Sequence, residues 1–309
     1  MFQAQQLVFY TCVSPVHMGA GSAVGVIDNP IQREVHTGYP LIAGSGLKGA
    51  VRHHFNRSWP AKSLITRLFG PETNADHAGA IAFTDAQLVA FPVRSLRNTY
   101  VYATSPTALA RLKRLAGDTA GWTVPEIVES AAKLASGKAL SGAEPGKQRL
   151  VLEAFDFAGS EDAGVKTIAE WLAKNALPQD TDHAFFRQKL TDDLVVLSDT
   201  AFTHFVRHAT VVEAHVAIDN DTGAAKRGAL FYTENLPPET LLAGLLLSSV
   251  ERQKKGNSRD DPISAETILA MVLRDEGDRK GLSDNLLQVG GDATTGRGLI
   301  VVHAANGGA

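Results

Sequence analysis

Cysteine is almost absent from this chain: Cys12 is the only one in 309 residues. One cysteine closes no internal disulfide, and no Cys/His spacing of a zinc site occurs, so a reducing intracellular compartment is expected. Cys12 lies in the apolar run Leu7–Val13 and reads as a small buried core residue. No apolar run reaches membrane-spanning length, and the N-terminal stretch lacks the basic start and cleavable apolar segment of a secretory signal. A soluble, cytoplasmic protein without a membrane partner is the expectation. Bulk positive charge is missing as well. The net charge is −3, which excludes a uniformly basic nucleic-acid binder but not one whose cations are gathered on one face. A Walker sequence is also lacking, since Lys48 is followed by Gly49 rather than Ser or Thr. The hydrophobic share of 44% is ample for a real core in one large domain or two.

What is present concentrates between Ser14 and Arg52. Glycines and small polar residues surround a lone carboxylate, Asp28, in the context Gly25-Val26-Ile27-Asp28-Asn29-Pro30. Pro15, Pro30 and Pro40 break any helix across 14–43, and a loop that long inside a compact domain is usually functional or disordered. Gly44, Ser45, Gly46 and Gly49 then lead into Leu47, Val51 and Phe55, at helical i, i+4 and i+8 spacing. A glycine-rich turn entering a helix leaves unshielded N–H donors and a partial positive charge, which suits an anion. Lys48 and Arg52, one turn apart, add cations. No Asp or Glu occurs from Val35 to Pro71, whereas Lys48, Arg52, Arg57, Lys62 and Arg67 do. The plain alternative is a glycine turn and a solvated helix with no ligand.

The rest of the chain mixes short strands and helices. Strands are expected at Gln6–Val13, Ala80–Phe83, Gln87–Phe91, Arg149–Phe157, Leu194–Leu197, Val211–Ile218, Leu230–Tyr232, Leu286–Val289 and Leu299–Val302, and Leu241–Val250 is a strongly apolar run. Helices are expected at Lys62–Phe69, from the Ser105 cap to Leu115, at Asp162–Ala176, after the Ser198-Asp199-Thr200 cap, and at Thr267–Arg274. Asn220-Asp221-Thr222-Gly223 reads as a hairpin turn. The segment from Gly117 to Lys147 reads as a surface insertion, and Glu251–Asp261 as a charged solvent loop. This alternation argues an α+β fold rich in antiparallel strands rather than a βαβ series.

A second cluster, Gly290-Gly291-Asp292-Ala293-Thr294-Thr295-Gly296-Arg297-Gly298, lies between two apolar strands. Exposed backbone, two hydroxyls and a guanidinium suit phosphate or ribose, although a flexible hairpin loop has the same composition. Asp292 reads as a turn-capping carboxylate. Gly44, Gly46 and Gly49 form a nominal G-x-G-x-x-G, but Tyr39–Ala43 is too short and Pro-led to be the strand a dinucleotide site needs. His53-His54 and His204/His208 read as surface or core histidines rather than metal ligands.

Taken together, these stretches resemble the repeated backbone subunit of type III-B CRISPR effector complexes, the Cmr branch of the RAMP superfamily. Pro15-Val16-His17-Met18-Gly19-Ala20-Gly21 is similar to that family's P-L-H-x-G-x-G. Gly25 to Glu34 resembles its G-V-I-D-x-P-I-Q-R-E, and Gly44-Ser45-Gly46-Leu47-Lys48-Gly49 its G-S-S-L-K-G. Val196–Thr200, Gly228–Glu234, Leu236–Glu239 and the loop 290–298 correspond too. The resemblance runs from end to end and implies one RAMP-type domain over 1–309, a modified ferredoxin-like (RRM-like) palm with inserted segments. It further implies copies stacked on one guide (crRNA) beside other CRISPR effector subunits. A thumb β-hairpin, placed here within 202–234, would displace one base of the guide–target duplex at regular intervals.

By the same resemblance, Asp28 in the 14–43 loop is the carboxylate for metal-dependent cleavage of target RNA, with a divalent cation, Mg²⁺ by expectation, as cofactor. His17, Gly44, Ser45, Gly46, Lys48, Arg52, Gly290, Gly291, Thr294, Thr295, Gly296 and Arg297 are the implied RNA contacts. This chain departs from the family's pattern at Ala43 (usually Pro), Gly46 (Ser), Ala293 (often acidic) and Arg297 (often Lys). None touches Asp28, so a cleaving subunit is expected. A guide-RNA scaffold that does not cut, and a nucleotide-binding enzyme using Gly44–Gly49, are the alternatives.

Overall fold

The computed structural model describes residues 2–72, 77–142, 148–252 and 261–306. The strands are β1 (Ala4–Cys12), β2 (Leu41–Ile42), β3 (Ile81–Phe83), β4 (Ala86–Arg94), β5 (Tyr100–Thr104), β6 (Ala131–Leu134), β7 (Arg149–Leu152), β8 (Phe155–Glu161), β9 (Leu194–Leu197), β10 (Val211–Ile218), β11 (Ala225–Asn235), β12 (Leu241–Ser248), β13 (Asn285–Gln288) and β14 (Leu299–Ala304). The helices are α1 (Gly44–Ser58), α2 (Lys62–Phe69), α3 (Pro106–Ala116), α4 (Ala163–Asn175), α5 (Ala184–Asp193), α6 (Asp199–His208) and α7 (Ala265–Leu273).

Twelve strands make one mixed sheet in the order β13-β14-β1-β12-β4-β5-β9-β6-β8-β7, with β2 added on β4 and β3 on β12. Pairing is antiparallel except at β5–β9 and β6–β8. The sheet is covered on both faces, which is why its central strands are apolar at nearly every position rather than alternating. Along β1, Val8, Tyr10 and Cys12 enter one core with Leu47, Val51 and Phe55 of α1 and Phe202, Phe205 and Val206 of α6. Leu7 and Phe9 point to the opposite core with Leu109 and Leu112 of α3 and Val165, Ile168 and Leu172 of α4. Two helix starts follow the predicted caps, the hydroxyls of Ser105 and Ser198 accepting from first-turn amides, and the Asp162 carboxylate does the same for α4.

Three expectations are corrected. The stretch 117–147 is not a surface insertion: β6 sits inside the sheet between β9 and β8, and Ala120, Trp122, Ala132 and Leu134 are buried. Its Ala-Ala-Lys-Leu sequence has no β-branched or aromatic residue to signal a strand. Residues 143–147 of that stretch lie outside the described residues. Arg149–Phe157 is two strands, because Glu153 turns the chain at φ 51° without a glycine or asparagine to announce it. Of the loop 251–261, Glu251 is buried and bonded through both carboxylate oxygens to Arg67, so it is a structural residue; positions 253–260 lie outside the described residues. Helix α5 has no side-chain cap and buries only Leu190 and Asp193, so its sequence does not announce it.

β10 and β11 form a separate two-stranded sheet, exposed over most of its length. It springs from the core, since Thr233, Glu234, Asn235 and Leu236 at its root are buried. The stretch 202–234 therefore divides: Phe202, Phe205 and Val206 belong to the packed helix α6, and the hairpin starts at Val211.

Just past the hairpin, Glu239 adopts φ 69° and accepts a 3.1 Å bond from the Tyr102 hydroxyl. Burial pushes its carboxyl up from the usual range, only partly offset by that bond. A raised carboxyl means the folded state binds the proton more tightly, so this group opposes folding at neutral pH and ceases to do so below the ordinary Glu range. Glu239→Gln should therefore raise the melting temperature of the isolated subunit at pH 7, and the gain should shrink towards zero at pH 4. A melting temperature unchanged at both pH values would contradict it.

Candidate nucleic-acid interface

The long loop 14–43 is ordered as an irregular antiparallel arm. Gln32 N donates to Met18 O (2.8 Å), Ala20 N to Pro30 O (2.9 Å) and Ala23 N to Asp28 O (2.9 Å), which puts Asp28 near the tip. The arm lies against the hairpin root. Asn29 bridges Thr233 in parallel, Asn29 N donates to Tyr232 O (3.0 Å), and Glu234 N donates to Asn29 O (3.0 Å). Asp28 is half-buried, and its Oδ2 accepts from the Tyr232 amide at 2.7 Å. The neighbouring Val24 and Val26 are fully exposed.

Met18 joins three of the predicted stretches. A Cβ at Gly46 would lie 2.8 Å from the Met18 methyl, and one at Gly290 would lie 3.0 Å from its sulfur. Gly290 itself has φ 74°, and a Cβ there would fall 2.2 Å from the His17 carbonyl oxygen, so only glycine fits. Gly291 N donates to that same oxygen (3.0 Å), and Gly298 N to Pro15 O (2.8 Å). The His17 ring donates from Nδ1 to Glu234 O at 2.7 Å; a carbonyl only accepts, so neutral His17 keeps Nε2 as an acceptor. His17, Gly46, Gly290 and Gly291 are thus brought together.

The other predicted contacts sit differently. The Gly44 amide is taken: Asp85, from the turn after β3, accepts from it at 2.7 Å, so that donor is not open to a phosphate. Ser45 is exposed on the first turn of α1. Lys48 donates to Ile81 O (3.1 Å) and is half-buried; burial, then Arg52 and Arg252, push its ammonium pKa down. Arg52 faces Glu72 at 3.4 Å. The acid-free run of sequence is therefore not acid-free in space, because Glu72 and Glu251 return to Arg52 and Arg67. Thr294, Thr295 and Gly296 form an exposed turn. Asp292 closes it through its carbonyl, not its carboxylate, accepting from Thr295 N (3.0 Å) and Thr295 Oγ1 (2.8 Å). Arg297 is paired with Glu213 of β10 at 2.5 Å, which ties the glycine-rich loop to the hairpin. The His204 and His208 rings lie 4.6 Å apart, tilted by 43°, on the surface of α6.

Sequence reasoning assigned no role to Arg33, Glu213 or Glu234, although Arg33 and Glu234 fall inside the matched stretches. Among the described residues no three His, Cys, Asp or Glu side chains converge to hold a metal. A lone carboxylate with one oxygen unused by the Tyr232 amide fits only the mode in which a hard cation takes one protein ligand and completes its shell with phosphate oxygens and water.

A mixed α/β sheet with a projecting hairpin, against which the 14–43 arm and the glycine-rich loop are gathered, is the frame that holds these stretches. The chain belongs to the RAMP superfamily, whose family model matches residues 9–301. It is 33% identical to the CRISPR system Cmr endoribonuclease Cmr4 of Pyrococcus furiosus over 96% of this chain and 94% of that one. It is 23% identical to the CRISPR system CMR subunit Cmr4 of Saccharolobus solfataricus over 97% and 99%. The crystal structure of oligomeric Cmr4 from Pyrococcus furiosus superposes with a TM-score of 0.71, covering 98% of both chains at 24% identity. A subunit of the type III-B Cmr-beta complex bound to cognate target RNA gives the same TM-score at 19% identity. The expected ferredoxin-like palm with inserted elements is the fold these structures share.

Gly290→Ala should detach the glycine-rich loop from His17, since both φ and the 2.2 Å approach forbid a methyl group. Backbone strain of this kind costs about 1–3 kcal/mol. Thermal melts should show the loss, and hydrogen exchange should show faster opening confined to 290–298 and 15–19; an unchanged melt would contradict the packing described.

Proposed function

We propose that this chain is a repeated backbone subunit of a type III-B CRISPR complex, binding guide RNA and cutting complementary target RNA at regular intervals. The observation that carries the reading is the placement of Asp28: a half-buried carboxylate, fixed by one oxygen to the hairpin strand, beside loops with little side-chain cover. The 33% identity to an endoribonuclease over nearly the whole chain supports it. Other copies of this chain, other effector subunits and both RNAs are the proposed partners, in the cytoplasm.

In this reading the exposed hairpin β10–β11 is the thumb and 14–43 the catalytic loop. A base displaced by the hairpin leaves its ribose free to rotate until the 2′ oxygen lines up with its own phosphorus. Asp28 accepts the 2′ hydroxyl proton as that oxygen attacks; the bond to the 5′ oxygen breaks, and that oxygen takes a proton from water, leaving a cyclic phosphate and a free 5′ hydroxyl. Asp28 is the residue that would hold a divalent cation, Mg²⁺ by expectation, and such an ion would supply neutralisation of charge developing in the reaction. His17, Gly46, Gly290 and Gly291 line the backbone path, and Ser45, Lys48, Arg52, Thr294, Thr295 and Gly296 extend it.

Asp28→Ala, in assembled complex given a labelled guide-complementary RNA and Mg²⁺, should lose cleavage by about 10²-fold or more while binding the target as tightly as wild type. Equal cutting by the variant would overturn the assignment. Tight binding without cuts in either protein would make the chain a scaffold. A Lys48→Ala/Arg52→Ala variant should bind guide RNA more weakly, with a slope of log affinity on log salt smaller by roughly 1–2; an unchanged slope would remove both residues from the interface.

A further inference from the structure

Among the buried charged groups, one cluster has no part in the chemistry above yet ties the arm that carries Asp28 to the hairpin root and to α6. Arg33 follows Asp28 by five residues on the same arm. Its NH2 bonds Glu234 Oε1 at 2.6 Å, and its NH1 donates to Val206 O (2.8 Å) and Gly38 O (2.9 Å). Those three acceptors belong to the hairpin root, the last turn of α6 and the loop's own turn. Glu234, 3% exposed, also accepts from the Thr210 hydroxyl (2.8 Å) and from Ile31 N (3.1 Å). Thr210 is the last residue before β10, so the carboxylate ties both hairpin strands to the arm that carries Asp28.

We infer that Arg33 is a positioning residue: with Glu234 it locks the hairpin to the Asp28 loop, so that the residue spacing which displaces a base also sets where Asp28 stands. The inference rests on the proposed role of Asp28. The Asp28 carboxylate is held by the backbone amide of Tyr232 on β11, so its place depends on that strand. A planar guanidinium is suited to this because its fork reaches three acceptors at once, which an ammonium on a flexible stem does not reproduce. Glu34, the next residue, bonds Arg111 of α3 through both oxygens and accepts from Thr37 (2.6 Å), which holds the far side of the arm to the palm. The arm is fixed to the palm by Glu34 and to the hairpin by Arg33.

The test is single-turnover cleavage by assembled complexes carrying Arg33→Lys or Arg33→Ala/Glu234→Gln, with Asp28→Ala in parallel. The double variant avoids leaving a buried carboxylate unpaired. Each Arg33 variant should cleave about 10²-fold more slowly, as expected for a misplaced catalytic group, with target affinity and the cleavable fraction unchanged. Cuts should also spread to neighbouring nucleotides, which loss of stability alone does not produce. Cleavage at the wild-type rate with a smaller cleavable fraction would overturn the inference and leave Arg33 a stability residue. Failure of both variants to enter the complex would do the same. Undiminished cutting by Asp28→Ala would instead sink the functional reading itself.

Discussion

A carboxylate buried at the root of a hairpin governs the solvent-facing end of this molecule. Glu234 is almost fully removed from water and receives a guanidinium and a backbone amide from the 14–43 arm and a hydroxyl from the residue before β10. Removing one partner from a buried ion pair costs about 3–5 kcal/mol, because the remaining charge is stranded. A two-stranded hairpin, by contrast, is at best marginally stable alone. The hairpin thus keeps a fixed angle to the body because its root is polar and fully bonded, while its outer length stays exposed. The same contacts seat the arm that carries Asp28.

Beneath this lies the sheet. Covered by helices on both faces, it leaves no room for functional groups between its strands, so they gather in the connections: 14–43, 290–298 and the hairpin. Their convergence uses small residues. Met18 occupies the space left by the missing side chains of Gly46 and Gly290, and the loop 290–298 is drawn in by main-chain bonds to Pro15 and His17. A site built largely from backbone suits a ligand recognised by its own repeating backbone.

Much of this was legible in the sequence where local chemistry is decisive. Apolar periodicity and serine or aspartate caps marked α1, α3, α4 and α6, and the Asn-Asp-Thr-Gly turn marked the β10–β11 hairpin. The stretches around His17, Asp28 and Gly290 stood out as candidates through glycine density and family resemblance, and the fold brings His17 and Gly290 into contact. The rest depended on partners far away in the chain. Nothing near Gly44 says that Asp85 fills its amide, and nothing near Arg52 or Arg67 reveals Glu72 or Glu251. β6 was invisible because alanines adopt a strand only when the neighbours supply the pairing. Arg33 and Glu234 lie 201 residues apart, and only the fold shows that they meet.

The central claim is that each copy of this chain cuts the target at its own position. Complexes assembled from defined mixtures of wild-type and Asp28→Ala chains test it directly, with cuts mapped at single-nucleotide resolution. The account predicts evenly spaced cuts whose individual intensities fall in proportion to the fraction of variant, with positions unchanged. Cuts that persist at full intensity as the variant fraction approaches one would place the chemistry outside this chain.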